Sequence, residues 1–209
     1  MYRDRHDAGR QLAEELARFA GDEDAVVLGI PRGGVVIGGE IARRLDLALD
    51  VVIASKIGAP GNPEYAVGAV DADGRVTANP EAGYDLAELE HLARPVRDKI
   101  RRRIELYRGG GEPVDLDGAT AIVVDDGIAT GLTALAACRY VREQGVDRVV
   151  LAVPVIAASS VSAFEPYVDE LIAPLRPAFF HAVGQFYRHF GQVSDDEVLE
   201  ILEEFGYGQ

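Results

Sequence analysis

The chain has 209 residues, 48% of them hydrophobic and 27% charged, a globular balance that supplies a full core and argues against disorder. Its formal charge of −14 weighs against sequence-independent nucleic-acid binding, which depends on lysine and arginine neutralising phosphates. No apolar stretch approaches the roughly 20 residues that span a bilayer, the charged start MYRDRHDAGRQLAEEL lacks the apolar core of a secretory signal, and the single cysteine, Cys138, fits a reducing cytoplasm.

These features lead us to expect a cytoplasmic protein of one domain, residues 1–209, with neither membrane nor nucleic acid as partner. Nineteen of the 21 basic residues are arginine, leaving only Lys56 and Lys99 as lysines. The chain opens with Ala8, Leu12, Leu16 and Phe19 at helical spacing, which predicts an amphipathic helix over 7–20. DAVVLGI (24–30) reads as a buried strand, GGVVIGGEIARRL (33–45) as a helix and DVVIASKI (50–57) as a second strand. Strand, helix, strand with short joints is the pattern of a parallel sheet. TAIVVD (120–125), GLTALAACRYVREQG (131–145) and RVVLAVPV (148–155) repeat it, and VDELIA (168–173) adds a further strand.

Three segments break the alternation. Residues 58–80 are rich in glycine and proline, with Asp73-Gly74 between β-like residues, and read as a loop containing a hairpin. Residues 85–108 read as a helical stretch interrupted by Pro95. There Leu89, Leu92, Val96, Ile100, Ile104 and Tyr107 oppose a solvated face of Arg94, Arg97, Arg101 and Arg103. Residues 176–209 hold an aromatic cluster and a closing helix whose start, Ser194 with Glu197, reads as a capping box.

The chemistry concentrates in AIVVDDGIATGLTA (121–134). A strand, a tight turn and a helix start make an anion site, because the first helix amides lack internal partners and the helix dipole favours negative charge there. Thr130 and Thr133 add hydroxyl donors, and Gly127 and Gly131 let the backbone approach closely. Asp125 and Asp126 need a different partner. Vicinal sugar hydroxyls are donors that carboxylates accept, and a hard cation such as Mg²⁺ fits nearby with mostly ligand and water oxygens. Neighbouring strand side chains point to opposite faces, so both aspartates serve one ligand only if the chain bends at Gly127. The ligand class implied is a sugar phosphate.

IVVDDGIATGLT resembles the phosphoribosyl diphosphate (PRPP) signature of the type I phosphoribosyltransferases. The resemblance implies an α/β fold with a parallel sheet flanked by helices, a flexible lid over 58–80 and a small C-terminal hood over 176–209. It implies that Asp125 and Asp126 take the ribose hydroxyls, and that Gly127, Ile128, Ala129, Thr130, Gly131 and Thr133 hold the 5′-phosphate. GIPRGGVVIGGEIARRL, roughly 90 residues upstream, resembles the family's pyrophosphate loop. That similarity implies pyrophosphate contacts from Arg32, Gly33 and Gly34 and an unusual cis peptide at Arg32–Gly33. KIGAPGNPEYAVGAV and FFHAVGQFYRHFGQVSDDEV resemble a subgroup of bacterial and archaeal members of undefined substrate. Where hypoxanthine–guanine enzymes carry an acid this chain has Ala129, and the pattern is closer to the adenine type.

The implied reaction is Mg²⁺-dependent transfer of the phosphoribosyl group to a nitrogenous base, with pyrophosphate leaving and Arg32, Asp125 and Asp126 as catalytic residues. The metal is held mainly through ligand oxygens, with Asp125 and Asp126 as candidate ligands, and a homodimer is implied. Lys56 is a second pyrophosphate candidate against the ordinary role of a strand-end lysine, surface solvation. Glu64 is a candidate for assisting the base or the metal. Phe180 and Tyr187 are candidates for stacking on the base. A PRPP-binding regulator without turnover is the rival reading. His6, His91, His181 and His189 lack metal-ligand spacing, and neither a dinucleotide glycine motif nor a nucleotide-triphosphatase loop is present.

Overall fold

The computed structural model describes residues 1–109 and 111–206. The five strands of its main sheet are β1 (Ala25–Gly29), β2 (Ala48–Val51), β6 (Thr120–Val124), β7 (Arg148–Ala152) and β8 (Glu170–Ile172). All neighbouring pairs are parallel, in the order β2-β1-β6-β7-β8. After the opening Thr120 and Arg148 of β6 and β7, the central strands are continuous buried apolar runs because both faces are covered.

Two packed layers provide that cover. Helices α1 (Arg5–Glu15), α2 (Gly33–Leu45), α3 (Leu86–Arg108) and α5 (Asp195–Glu204) share one core with Val27, Leu49, Ile122 and Val150. Helix α4 (Leu132–Arg142) and Phe164 pack on the other face against Val26, Leu28, Val123 and Leu151. Chain from β1 thus goes to one face and chain from the adjacent β6 to the other. That divergence opens a crevice at the carboxyl ends of the two strands, the usual ligand position in such sheets.

The expected alternation is present, with corrections. The run 50–57 is not one strand: β2 ends at Val51 and the chain leaves the sheet to begin β3 (Ser55–Ala59). With β4 (Asn62–Val70) and β5 (Val76–Ala78), β3 forms a second, antiparallel sheet. The segment 58–80 is therefore mostly strand, with tight turns at Pro60-Gly61 and around Asp73-Gly74. Gly74 takes φ +83°, and its amide donates to the Asp71 carbonyl at 3.0 Å.

Helix α3 runs continuously through Pro95. Its arginine face is only partly solvated, since Arg97 Nε donates to the Gly74 carbonyl at 2.7 Å and ties the helix to the hairpin. Ser194 accepts from the Glu197 amide at 3.0 Å and starts α5 as expected, while the reciprocal bond from Glu197 is not formed. The last three positions of the expected hood, 207–209, lie outside the described residues. The cis peptide is Pro31–Arg32, one position before the expected one. No helix among the described residues is long and apolar enough to cross a membrane.

Candidate active site

Two loops meet at the crevice, residues 30–34 after β1 and 125–131 after β6. The second begins where β6 ends and enters α4 through Gly131, whose φ of +80° only glycine adopts without strain. Gly127 has a different reason for lacking a side chain. Its φ of 159° is nearly extended, and a Cβ there would lie 2.6 Å from Val183 and 2.9 Å from Val155. Lack of space against Val183 and Val155 excludes a side chain here.

The turn is held from outside, leaving its inner amides open. Ile128 is buried, its amide donates to the Val155 carbonyl at 2.9 Å and its carbonyl accepts from Ala157 at 2.8 Å. It anchors the turn, so its amide is not a phosphate donor as the motif had implied. Ser160 Oγ donates to the Ala129 carbonyl at 2.5 Å. Among the described residues, the amides from Ala129 to Thr133 form no hydrogen bond within the protein. They are the free donors of a helix start.

These donors face a cavity of about 340 Å³ lined by Asp125, Thr130, Gly131, Thr133, Lys56 and Val183, among others. Lys56, at the start of the second sheet, is therefore brought to the threonine turn. Its ammonium pairs with Glu64 at 2.8 Å, and Glu64 itself is 90% exposed. That places Glu64 as a counter-ion to Lys56 rather than at the aspartates.

The two carboxylates divide. Asp125 lines this cavity and accepts from the Asp126 amide at 2.8 Å. Asp126 turns toward the other loop, where its Oδ2 receives Arg5 Nε at 2.7 Å. Neither side chain of that ion pair is more than 17% exposed. Burial, and then the charge of Asp126, push the Asp125 carboxyl well above its usual range. Burial also raises Asp126, opposed by the charge and hydrogen bond of Arg5.

Arg5, Arg32, Gly33 and residues 190–193 line a second cavity of about 240 Å³. Gly33 touches the aspartate directly, since a Cβ there would lie 2.0 Å from Asp126 Oδ2. Gly34 likewise has no room for a side chain, with the Val124 carbonyl 2.3 Å from its Cβ position. The Gly34 amide donates to the Ile30 carbonyl at 3.0 Å, so this glycine serves loop packing and not, as expected, an exposed donor. Arg32 caps α2 and lies 3.9 Å from Asp195. Burial depresses the Lys99 ammonium, and the like charges of Arg103, Arg32 and Lys56 depress it further. Cations from four elements thus concentrate beside the crevice of an acidic chain.

The aromatic expectations are revised. Tyr187 is 5% exposed and lies under the site, its hydroxyl donating to the Asp126 carbonyl at 2.6 Å. That burial, with nearby negative charge, drives its phenol far above the ordinary value. It is not free to stack on a ligand. Phe180 packs on Phe186 with centroids 5.1 Å apart and lines neither cavity. Val183 is the C-terminal residue that reaches the first cavity. Sequence reasoning missed Arg5 and Val183. The only signal for Arg5 was a cation in the first turn of a helix, where the dipole disfavours it.

Residues 2–187 match the phosphoribosyl transferase domain family. The chain belongs to that family. It is 45% identical over 207 residues to Rv0571c of Mycobacterium tuberculosis H37Rv, a phosphoribosyl transferase by name, and equally to MT0597 of strain CDC 1551. The alignment covers 97% of this chain and 46% of each relative, so the chain spans about half the length of these curated relatives. The crystal structure of TT1426 from Thermus thermophilus is 45% identical, covers 98% of both chains and superposes with a TM-score of 0.82. AQ2163 from Aquifex aeolicus, at 12% identity with 82% of this chain and 74% of that one covered, shares the fold with a TM-score of 0.51. Membership and architecture agree with the resemblance read from the motifs.

Proposed function

We propose that this protein transfers the 5-phosphoribosyl group of PRPP to a nitrogenous base and releases pyrophosphate. The observation that carries the reading is the run of unpartnered amides from Ala129 to Thr133 bounding a cavity that Asp125 also lines. A terminal phosphate fits this helix start, with the Thr130 and Thr133 hydroxyls as added donors and the Lys56 ammonium as counter-charge. Asp125 and the free edge of Asp126 accept from the ribose hydroxyls, and Arg32 at the second cavity offers a planar fork to the pyrophosphate.

In this mechanism the bond from C1 of the ribose to pyrophosphate breaks as a base nitrogen approaches from the opposite face. The centre inverts, and the base proton passes to solvent. Positive charge developing on the sugar is eased by the two part-buried carboxylates, and negative charge on the leaving group by Arg32. The donor set fits Mg²⁺: oxygen ligands from Asp125, with most of the shell left to ligand oxygens, and the ion would neutralise the pyrophosphate. The β3–β5 sheet, which brings Lys56 and Ala66 to the cavity wall, serves as the lid that excludes water. Ala129 removes the acid that would favour a 6-oxopurine acceptor. A cytoplasmic location and a homodimer complete this reading, resting on the lone buried Cys138 and on family resemblance respectively.

The test is pyrophosphate release from PRPP and Mg²⁺ across a panel of purine and pyrimidine bases. Release that requires one of the bases supports transfer. PRPP binding in calorimetry without release on any base would replace transfer by a sensing role, and no PRPP binding would refute the reading.

A further inference from the structure

The Arg5 side chain joins three parts of the molecule that are far apart in sequence. Its Nε donates to Asp126 Oδ2 at 2.7 Å, its Nη1 donates to the Gly191 carbonyl at 2.8 Å, and its guanidinium lies 3.8 Å from the centroid of Phe190. Gly33 closes the arrangement from the fourth side, for a Cβ there would sit 2.9 Å from Arg5 Nε as well as against Asp126. The side chain is 12% exposed, so this is a built contact and not a surface pair.

A surface ion pair between flexible chains contributes little and fixes no geometry. Arg5 differs because its planar fork is committed in two directions at once, to a carboxylate and to a backbone carbonyl, while an aromatic face supports its plane. One carboxylate oxygen of Asp126 is thereby occupied, and the other accepts no hydrogen bond from another described side chain. Tyr187 holds the same residue by its carbonyl, so the orientation of Asp126 is set from both the side chain and the backbone.

We infer that Arg5 is a positioning residue for ligand binding at Asp126: it turns that carboxylate toward the sugar diol and fastens the 190–191 segment over it, so that the C-terminal segment and the sugar-binding acid move as one unit. The inference rests on the reading of Asp126 as a ribose-binding acid. It adds a residue from the first helix to a site otherwise built from the two crevice loops.

The test compares three ligands by calorimetry in wild type, Arg5→Ala and Arg5→Lys. 1,4-Anhydroribitol 5-phosphate, like ribose 5-phosphate, carries the diol, whereas tetrahydrofurfuryl phosphate keeps the ring and the phosphate and lacks the diol; comparing all three separates the diol from the anomeric hydroxyl of ribose 5-phosphate. Wild type is expected to prefer both diol ligands. Arg5→Ala is expected to lose about tenfold of that preference while binding tetrahydrofurfuryl phosphate as wild type does, the size expected for one charge-assisted hydrogen bond. Arg5→Lys, which keeps the charge but cannot bridge two acceptors, is expected to recover only part of it. Added ethylguanidinium is expected to restore the preference in Arg5→Ala. A purely structural role would weaken all three ligands together, and that result overturns the inference. So does an unchanged preference in Arg5→Ala, or in Arg5→Lys if the alanine variant fails to fold. If wild type itself binds neither ribose 5-phosphate nor PRPP, the assigned function falls and this inference with it. If wild type binds both and the variants match it, only the role of Arg5 falls.

Discussion

The Tyr187 hydroxyl donates to the backbone carbonyl of Asp126 at 2.6 Å, across 61 positions of sequence. An aromatic residue of the C-terminal segment therefore supports the acid step of the crevice from below. Removing that donor with Tyr187→Phe leaves a buried carbonyl unpartnered, which costs about 1–3 kcal/mol. Urea denaturation is expected to show this loss, together with weaker PRPP binding, while the aromatic packing on Tyr2 persists. Full stability and full affinity in the phenylalanine variant would refute the support role.

Gly33→Ala probes the contact between the two loops. The new Cβ would fall 2.0 Å from Asp126 Oδ2, so either the helix start or the carboxylate must move. Overpacking of this kind costs about 1–3 kcal/mol. The expected outcome is a lowered melting temperature and at least a tenfold loss in PRPP affinity. Unchanged values for both would show that the loops yield freely.

Asp125 makes stability depend on pH. Burial first, and the charge of Asp126 next, raise its folded-state carboxyl above the ordinary 3.8. A raised folded value means the folded state holds the proton more tightly than the unfolded chain. That contribution is fully present below the unfolded value and is lost as pH rises through the raised folded one. Asp125→Asn keeps an oxygen to accept from the Asp126 amide and carries no charge. It is expected to be more stable than wild type at pH 8, with the advantage shrinking toward pH 4, and to bind PRPP more weakly. Equal stability of the two proteins at pH 8 would count against the buried-acid account.

Lys56 and Glu64 separate a site contact from a surface pair. Lys56→Ala is expected to weaken ribose 5-phosphate binding about tenfold, since it removes the ammonium at the threonine turn. Glu64→Gln frees that ammonium, and because Glu64 is exposed the melting temperature should not change. Its expected effect is equal or tighter phosphate binding. A large loss of affinity in Glu64→Gln would instead give that acid a direct ligand role.

Much of the architecture was legible because parallel strands covered on both faces leave continuous apolar runs, as in TAIVV and RVVLA. The motif at 121–134 was readable for a related reason: its spacing places unsatisfied amides and carboxylates at one strand end. The division of 50–57 into two sheets was not readable, because Val52–Ala54 are as apolar as the strands beside them. Roles that depend on long-range neighbours were equally hidden. Apart from its unfavourable place in a first helical turn, nothing in the local sequence separates Arg5 from eighteen other arginines, or tells that Tyr187 points down at a backbone carbonyl and not up at a ligand. Pro95 misled for want of tertiary context: helix α3 buries Leu89, Ala93, Ile100 and Tyr107 along one face, and that packing holds the helix through the proline.

The strand order has an implication for which parts of the site can vary. Because β1 and β6 send their chains to opposite layers, the opening between them belongs to the scaffold and not to the segments that roof it. Val183 and the 190–193 stretch are appended after the last strand and reach back across that opening. A different roof grafted from residue 176 onward would meet the same opening, but it would have to keep the Tyr187 hydroxyl and the Gly191 carbonyl, which hold Asp126 and Arg5 in place.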